Sequence, residues 1–183
     1  MKKMNKKGFT LIELLAVITI MGILMLVSIP AVSRTIENTR RSTFANTAKT
    51  YINEIKTAVS SDELKCSSTM ISALGTGDYY YEFDSNNNSG KDLVEQGGRS
   101  SWGNVHVKGY VKVHKAVNAN GKTKYTYYIK MTDTQGRGIQ TETEEANITR
   151  SSVATSLPTG KTAAAVYNGS VAPSGSYKLS LID

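Results

Sequence analysis

Residues 6–32 read KKGFTLIELLAVITIMGILMLVSIPAV, and this stretch decides how the rest of the chain is organised. From Phe9 to Val32 the only charged side chain is that of Glu13. A helix over these residues extends about 36 Å, which exceeds the roughly 30 Å hydrocarbon core of a bilayer. The stretch therefore predicts a membrane-spanning helix, and the four lysines before it favour a cytoplasmic N-terminus.

A cleavable secretory signal is the alternative interpretation of this apolar run. Such a signal has a short apolar stretch followed by a cleavage site of small residues. Here the run is longer, and it is followed by Arg34, Glu37, Arg40 and Arg41 rather than by an Ala-x-Ala pattern. We therefore expect the apolar helix to be retained in the mature protein.

Glu13 is the unusual residue of the run, because a carboxylate inside a membrane is costly and normally has a partner. It stands at the fifth position of the apolar segment, which begins at Phe9 directly after two lysines and Gly8. This arrangement, KKGFTLIELL, resembles the prepilin motif of type IV pilins and their relatives. The apolar residues that follow, up to about residue 34, are also similar to those of family members.

The resemblance implies a processing site between Gly8 and Phe9. A prepilin peptidase would remove the leader, residues 1–8, and methylate the new amine on Phe9. In an assembled filament Glu13 would then face the positive amine of Phe9, that of a neighbouring subunit. The hypothesis is that Glu13 selects the register in which subunits dock, since opposite charges at short range attract strongly away from bulk water.

Gly22 and Pro30 mark a weak stretch within the helix. Proline lacks a backbone donor and loosens the preceding turn, and glycine lowers helix propensity by about 1 kcal/mol relative to alanine. One interpretation is an ordinary kink of a membrane helix. The other, favoured by the resemblance to pilins, is that Gly22–Pro30 unwinds when the filament assembles.

The remainder of the chain predicts an α+β fold in which an antiparallel β-sheet head packs on the second half of one long N-terminal helix. We divide the chain into the leader (1–8), a transmembrane and filament-core helix (9–32), an amphipathic half of the same helix (33–61) and the head (62–183). The apolar stripe of the amphipathic half consists of Phe44, Ala48, Tyr51, Ile52, Ile55 and Val59.

Alternating apolar and polar residues predict the strands of the head. The strand segments are DYYYEF (78–83), NVHVKGYVKVHK (104–115), KYTYYIKM (124–131), a stretch near 139–143 and YKLSLI (177–182). NANG (118–121) is a turn signal that makes a hairpin of the second and third segments, and Gly109 indicates a bulge in the second. Residues 147–157 fit neither helix nor strand clearly.

A catalytic role finds little support in the residue pattern. The two histidines, His106 and His114, lie eight residues apart on a predicted strand, which is about 26 Å and too far for shared metal ligation. Phosphate-loop, nucleophile-elbow and zincin patterns are lacking in the sequence. The single cysteine, Cys66, cannot form an intrachain disulfide and is interpreted as a small packing residue. We expect a protein that is not an enzyme and has no resident cofactor.

One polar loop has the composition of a calcium site. The segment DSNNNSGKDLVE places oxygen-bearing side chains at the EF-hand positions, namely Asp84, Asn86, Asn88, Asp92 and Glu95. The sixth position should be glycine and is Ser89, and the preceding segment reads as a strand rather than a helix. A polar surface loop is therefore the simpler interpretation, and calcium binding remains the weaker alternative.

The resemblance implies a structural subunit of a type IV pilus that polymerises with itself into a helical surface filament for adhesion, motility or cell–cell contact. Its partners would be the prepilin peptidase, an assembly platform with a motor ATPase, and minor pilins. Before assembly it would be stored as a single-pass protein of the cytoplasmic membrane with the C-terminus outside. The formal charge of +7 falls to about +3 without the leader, so nucleic acid is not an expected partner.

Several alternatives share the same motif or the same anchor. A minor pilin, a competence pilin and a type II secretion pseudopilin carry the same processing site as a major pilin. A membrane-anchored sensor or binding protein would instead keep its first eight residues. The lack of a cysteine pair departs from many pilins of Gram-negative bacteria, whose C-terminal loop is disulfide-bonded, and favours the Gram-positive type.

Overall fold

The computed structural model describes residues 9–86, 99–103 and 105–182. The chain divides into two compact units, Met1–Thr39 and Arg40–Asp183. The longest element is helix α1, Leu11–Ser60, which contributes residues to both units. Predicted positions 88, 92 and 95 of the calcium loop lie outside the described residues, as does the leader with Gly8.

The first unit is the apolar part of α1. Every large apolar side chain from Leu11 to Val32 is more than half exposed. The hydroxyls in this stretch are satisfied within the helix, because Thr19 donates to the Ala16 carbonyl at 2.9 Å and Ser28 to the Leu24 carbonyl at 2.8 Å. In the part of the chain that the structure describes, α1 is the one helix long and apolar enough to cross a membrane.

The second unit holds the C-terminal part of α1 and seven strands. The remaining elements are β1 Leu64–Cys66, β2 Thr69–Met70, β3 Gly77–Asp84, β4 Val107–Val117, β5 Thr123–Asp133, β6 Gly138–Glu144, 3₁₀ turns Glu145–Asn147 and Arg150–Ser152, helix α2 Ala163–Asn168 and β7 Tyr177–Leu181. The strands form one sheet in the order β2-β1-β7-β3-β4-β5-β6. The predicted α+β, pilin-like architecture is confirmed.

The core lies between α1 and the inner face of the sheet. The stripe predicted from the helical periodicity is buried throughout, with Ile52 and Ala48 fully inaccessible. Its aromatic members contact aromatic residues of the head: the Tyr51 ring stacks on Phe83 at a centroid distance of 4.2 Å, and Phe44 lies 5.6 Å from Trp102. Periodic apolar spacing thus correctly identified the face of the helix that holds the head.

The β4–β5 hairpin is confirmed, with β4 beginning and ending slightly later than predicted. The predicted bulge at Gly109 is wrong, because Gly109 pairs in register with Phe83 on one side and Met131 on the other. The register shift lies instead between β5 and β6, at Ile129/Met131. Gly109 is required for close approach, since a Cβ there would collide with the Lys130 carbonyl and lie 2.9 Å from the Met131 Cα.

The sheet differs from the predicted all-antiparallel arrangement in one pairing. Strand β7 runs parallel to β3, with Tyr79 opposite Tyr177, and antiparallel to β1. The short elements β1, β2 and α2 escaped prediction because two to six residues give too little periodicity to distinguish helix from strand. The ambiguous stretch 147–157 contains the second 3₁₀ turn and a single bridge from Ala154 to Gly138.

The C-terminal segment from α2 to β7 covers part of the outer face of the sheet. Lys130 Nζ donates to the Gly169 carbonyl at 2.8 Å, and the Ala172 amide donates to Glu82 at 2.8 Å. Ala172 packs with Tyr80 and Tyr110 in a second, smaller buried cluster. The head is therefore covered on both sides of its central strands, by α1 on one face and by this segment on the other.

Candidate functional site

The N-terminal segment of α1 forms a capping box. Both the amide and the hydroxyl of Thr10 donate to the Glu13 carboxylate at 2.8 Å, and the Glu13 amide points back to the Thr10 hydroxyl at 3.4 Å. The Leu14 amide donates to the Thr10 carbonyl at 3.2 Å, which closes the first turn. A threonine followed three residues later by glutamate, directly before an apolar run, is the sequence signal of this arrangement.

The capping box gives Glu13 a role in the single subunit that sequence reasoning missed. Helix N-termini leave several amides without an intrahelical partner and carry a partial positive charge. The Glu13 carboxylate satisfies one of these donors and lies at the favourable end of the helix dipole. Thr10 is consequently a further residue of the site, and its hydroxyl both donates to and accepts from Glu13.

Phe9 lies immediately before this box and is highly exposed, at 87% of its full surface. Gly8, the other side of the predicted cleavage position, lies outside the described residues. A free amine on Phe9 would begin four residues from Glu13, next to a carboxylate that is already ordered by Thr10. The chemistry of the segment is therefore that of a fixed anion beside the position where processing would create a cation.

The apolar surface of the first unit must be shielded from water. Exposed side chains from Leu11 to Val32 form a continuous band around the helix, since they point in all directions rather than along one stripe. A surface of this kind is stable in a lipid bilayer or among other apolar helices, but not in water. The helix is continuous through Gly22 and Pro30, and their proposed unwinding stays a prediction.

The candidate calcium loop begins at a carboxylate with protein partners. Asp84 accepts hydrogen bonds from the Tyr167 hydroxyl at 3.0 Å and the Asn86 amide at 3.0 Å, and it lies 3.2 Å from Lys108 Nζ. Burial by itself would raise the pKa of Asp84, but these hydrogen bonds and the charge of Lys108 outweigh it and lower the pKa below its ordinary value. In the described part of the loop, Asp84 therefore acts as an anchor for α2.

The two histidines occupy separate places with separate partners. His106 Nδ1 lies 3.1 Å from the Ser85 carbonyl, whereas His114 Nδ1 lies 2.6 Å from the Asp78 carboxylate. Cys66 is half-buried in β1 as a free thiol. Among residues 9–86, 99–103 and 105–182, three or more histidine, cysteine or acidic side chains do not gather into a group that could hold a metal.

Lys115 is a buried lysine that sequence reasoning did not single out. It continues the apolar phase of β4 after Val113 and is only 4% exposed. Its ammonium donates to the carbonyls of Ile71, Ser72 and Leu74 at 3.0, 2.7 and 2.6 Å. These contacts fix the loop after β2 against the sheet, so the role of Lys115 is structural.

Comparison with protein families identifies the N-terminal segment. Residues 3–29 match the family model of the prokaryotic N-terminal methylation motif. The chain thus carries the type IV pilin-like prepilin signature, which pilins and pseudopilins share. Comparison with curated proteins and with solved structures gave no significant match. The match ends within the apolar run and does not include the head.

Proposed function

We propose that the chain is a structural subunit of a type IV pilus, stored in the cytoplasmic membrane and polymerised into a surface filament. The observation that carries the proposal is the methylation motif on a helix whose apolar surface is exposed all round. In the membrane this surface is covered by lipid, and in a filament it would be covered by the same helices of neighbouring subunits. The head keeps its own core in both states.

The proposed path has three steps. A prepilin peptidase cuts after Gly8 and methylates Phe9; an assembly platform and its motor ATPase extract the subunit; minor pilins begin the filament. Glu13 pairs with the Phe9 amine of a neighbour during docking, and Gly22–Pro30 unwinds to allow packing. The work of the subunit is mechanical rather than catalytic and serves adhesion, motility or cell–cell contact.

The first test is mass spectrometry of the N-terminal peptide from sheared surface material and from membranes. We expect abundant protein that begins at methylated Phe9 in the sheared fraction. A chain that still begins at Met1 and stays in the membrane would support an anchored sensor or binding protein instead. Correct processing with only trace amounts in filaments would favour a minor pilin, a competence pilin or a secretion pseudopilin.

The second test separates the two roles of Glu13. Glu13→Gln keeps a side chain that can complete a capping box but removes the charge, whereas Thr10→Ala weakens the box and keeps the charge. If pairing with the Phe9 amine governs assembly, Glu13→Gln abolishes filaments and Thr10→Ala only reduces them. Glu63→Gln, at an exposed carboxylate of the head, is the matched control and should assemble normally.

The outcome that contradicts this account of Glu13 is normal filament yield from Glu13→Gln. Capping alone would then explain the carboxylate, and the pairing hypothesis would be lost while the pilin proposal stood. Filament yield is measured from sheared fractions, and membrane levels of each variant are measured by immunoblot. Equal membrane levels establish that a loss of filaments reflects assembly rather than degradation.

A further inference from the structure

The arginines of the second unit are gathered in four chain segments. We call them the arginine cluster, which consists of Arg40, Arg41, Arg99, Arg137 and Arg150. The four segments, 40–44, 99–103, 133–137 and 150–154, contain no lysine, although lysines occur throughout the rest of the head. Within these four segments every basic residue is an arginine.

Direct contacts bring these four segments together. The Ser101 hydroxyl donates to the Arg40 carbonyl at 2.7 Å, and Arg41 Nε donates to the Val153 carbonyl at 2.9 Å. The Trp102 ring contacts segments 40–44 and 133–137, since its centroid is 5.6 Å from that of Phe44 and 5.0 Å from the Arg137 guanidinium carbon. The arginine cluster thus occupies one region of the head. This region surrounds the first turn of the part of α1 that belongs to the second unit.

Two members of the cluster hold the fold together and three are exposed. Arg137 is paired with the buried Asp133 carboxylate at 2.8 Å, and Arg41 is half-buried against the Val153 carbonyl. Arg40, Arg99 and Arg150 are exposed. The four segments hold five arginines and one acidic residue, Asp133, so their summed formal charge is positive.

The chain limits how far Arg40 can lie from the end of the apolar run. Arg40 is eight positions after Val32, which ends that run. Even a fully extended chain of this length spans less than about 30 Å. Arg40 is therefore tethered within about 30 Å of the end of the apolar run, so the arginines around it can reach a charged leaflet, which would be present at high effective concentration.

We propose that the arginine cluster binds the phosphates of anionic phospholipids in the outer leaflet while the subunit is stored in the membrane. The planar guanidinium matches a phosphate with two parallel hydrogen bonds, which explains a region built from arginine and not from lysine. Screening limits such attraction to about 10 Å at 0.1 M salt, so it acts at the surface and not at a distance. The inference rests on the proposed membrane storage.

The test uses the full chain in vesicles and Trp102, the single tryptophan, as donor to a dansyl-labelled lipid headgroup. One vesicle is phosphatidylcholine alone, and the other is phosphatidylcholine and phosphatidylglycerol in three parts to one. We expect energy transfer about twofold higher in the anionic vesicle, and its loss in about 1 M salt. Arg40→Gln, Arg99→Gln and Arg150→Gln combined should remove the difference between the vesicles.

The matched control combines Lys49→Gln, Lys122→Gln and Lys161→Gln, which removes the same charge from exposed positions outside the cluster. This variant should keep the difference between the two vesicles. Equal transfer in both vesicles, or equal loss in both triple variants, would overturn the lipid inference. A comparison of thermal unfolding, followed through Trp102, identifies any variant that has lost its fold.

The experiment also separates this inference from the proposed function. Failure of the chain to float with neutral vesicles would reject membrane storage and the lipid inference together. Flotation with both vesicles but equal energy transfer would reject only the lipid contact. If a labelled DNA duplex binds the full chain and the arginine triple variant abolishes that binding while lipid composition has no effect, the surface is assigned to nucleic acid and the lipid proposal falls.

Discussion

Replacement of Lys115 by methionine tests how the head is closed at the turn after β2. The substitution keeps the length of the side chain and removes the ammonium that donates to three carbonyls, those of Ile71, Ser72 and Leu74. Methionine also restores apolar character to a position that is only 4% exposed. The loss of the three hydrogen bonds therefore competes with relief of the cost of burying a charge.

The accessibility of the three carbonyls decides which effect is larger. Ile71 is fully buried, so its carbonyl would be left without a partner, at a cost of about 1–3 kcal/mol. Ser72 is exposed and Leu74 half-buried, so water can replace much of what they lose, at roughly 0.5–1.5 kcal/mol each. We expect Lys115→Met to lower the free energy of unfolding by about 2–4 kcal/mol and the melting temperature by about 5–15 °C.

The assay is urea unfolding of the full chain in detergent, followed by the fluorescence of Trp102, which packs 5.6 Å from Phe44 in the core. Lys122→Met, at an exposed position in the β4–β5 turn, should change the free energy of unfolding by less than about 0.5 kcal/mol. Hydrogen exchange should show that the Ile71 amide, bonded to the Leu64 carbonyl at 2.9 Å, loses protection in the Lys115 variant. Equal stability of the two methionine variants would refute the reasoning.

Three further predictions concern the sheet, the core and the α2 anchor. Gly109→Ala forces a Cβ against the Lys130 carbonyl and should lower the free energy of unfolding by about 1–3 kcal/mol. Gly75→Ala, which has open space around it, should be neutral, and equal melting temperatures of the two variants would contradict the close approach at Gly109. Ile52→Ala should cost about 2–5 kcal/mol, because the side chain is fully buried against the sheet, and urea unfolding measures it. Because the pKa of Asp84 is lowered in the folded state, its contribution to stability is present above the ordinary carboxyl pKa near 4 and is lost as pH falls through the lowered value. As the pH falls from about 5 to 3, the melting temperature of the original chain should therefore drop more than that of Asp84→Asn. Parallel curves of melting temperature against pH for the two proteins would show that Asp84 is not the cause.

Long regular elements could be predicted from the sequence because their periodicity repeats. The stripe from Phe44 to Val59 and the alternation of β4 and β5 each offered several turns or pleats in phase, and both are present. Strands β3 and β7 were both recognised, but their parallel pairing was not, because alternation identifies a strand without identifying its neighbour. Strand partners depend on contacts between residues nearly a hundred positions apart.

Lys115 and Gly109 show what periodicity conceals at single residues. Lysine in phase with three valines reads as the solvent end of a strand, yet its acceptors come from residues about forty positions earlier. Glycine within a strand reads as a bulge, yet the reason for it is the backbone of the adjacent strand. At the candidate site the prepilin-like motif could be recognised in the sequence. The Thr10 capping box also has a sequence signal, but Glu13 was assigned only to pairing between subunits.

The two units differ in how their apolar surface is buried, and this difference bears on the proposed assembly. The head buries its apolar stripe within the same chain, so on the proposed pathway it would pass unchanged from membrane to filament. The first unit buries little of its apolar surface and depends on whatever surrounds it, which makes that segment the natural place for exchange of partners. Within it, the capping box orders the Glu13 carboxylate in the single subunit, so in the proposed filament docking would not spend conformational entropy to position that charge. On this argument Thr10→Ala should slow filament growth without changing which subunits are incorporated, and Glu13→Gln should prevent incorporation itself.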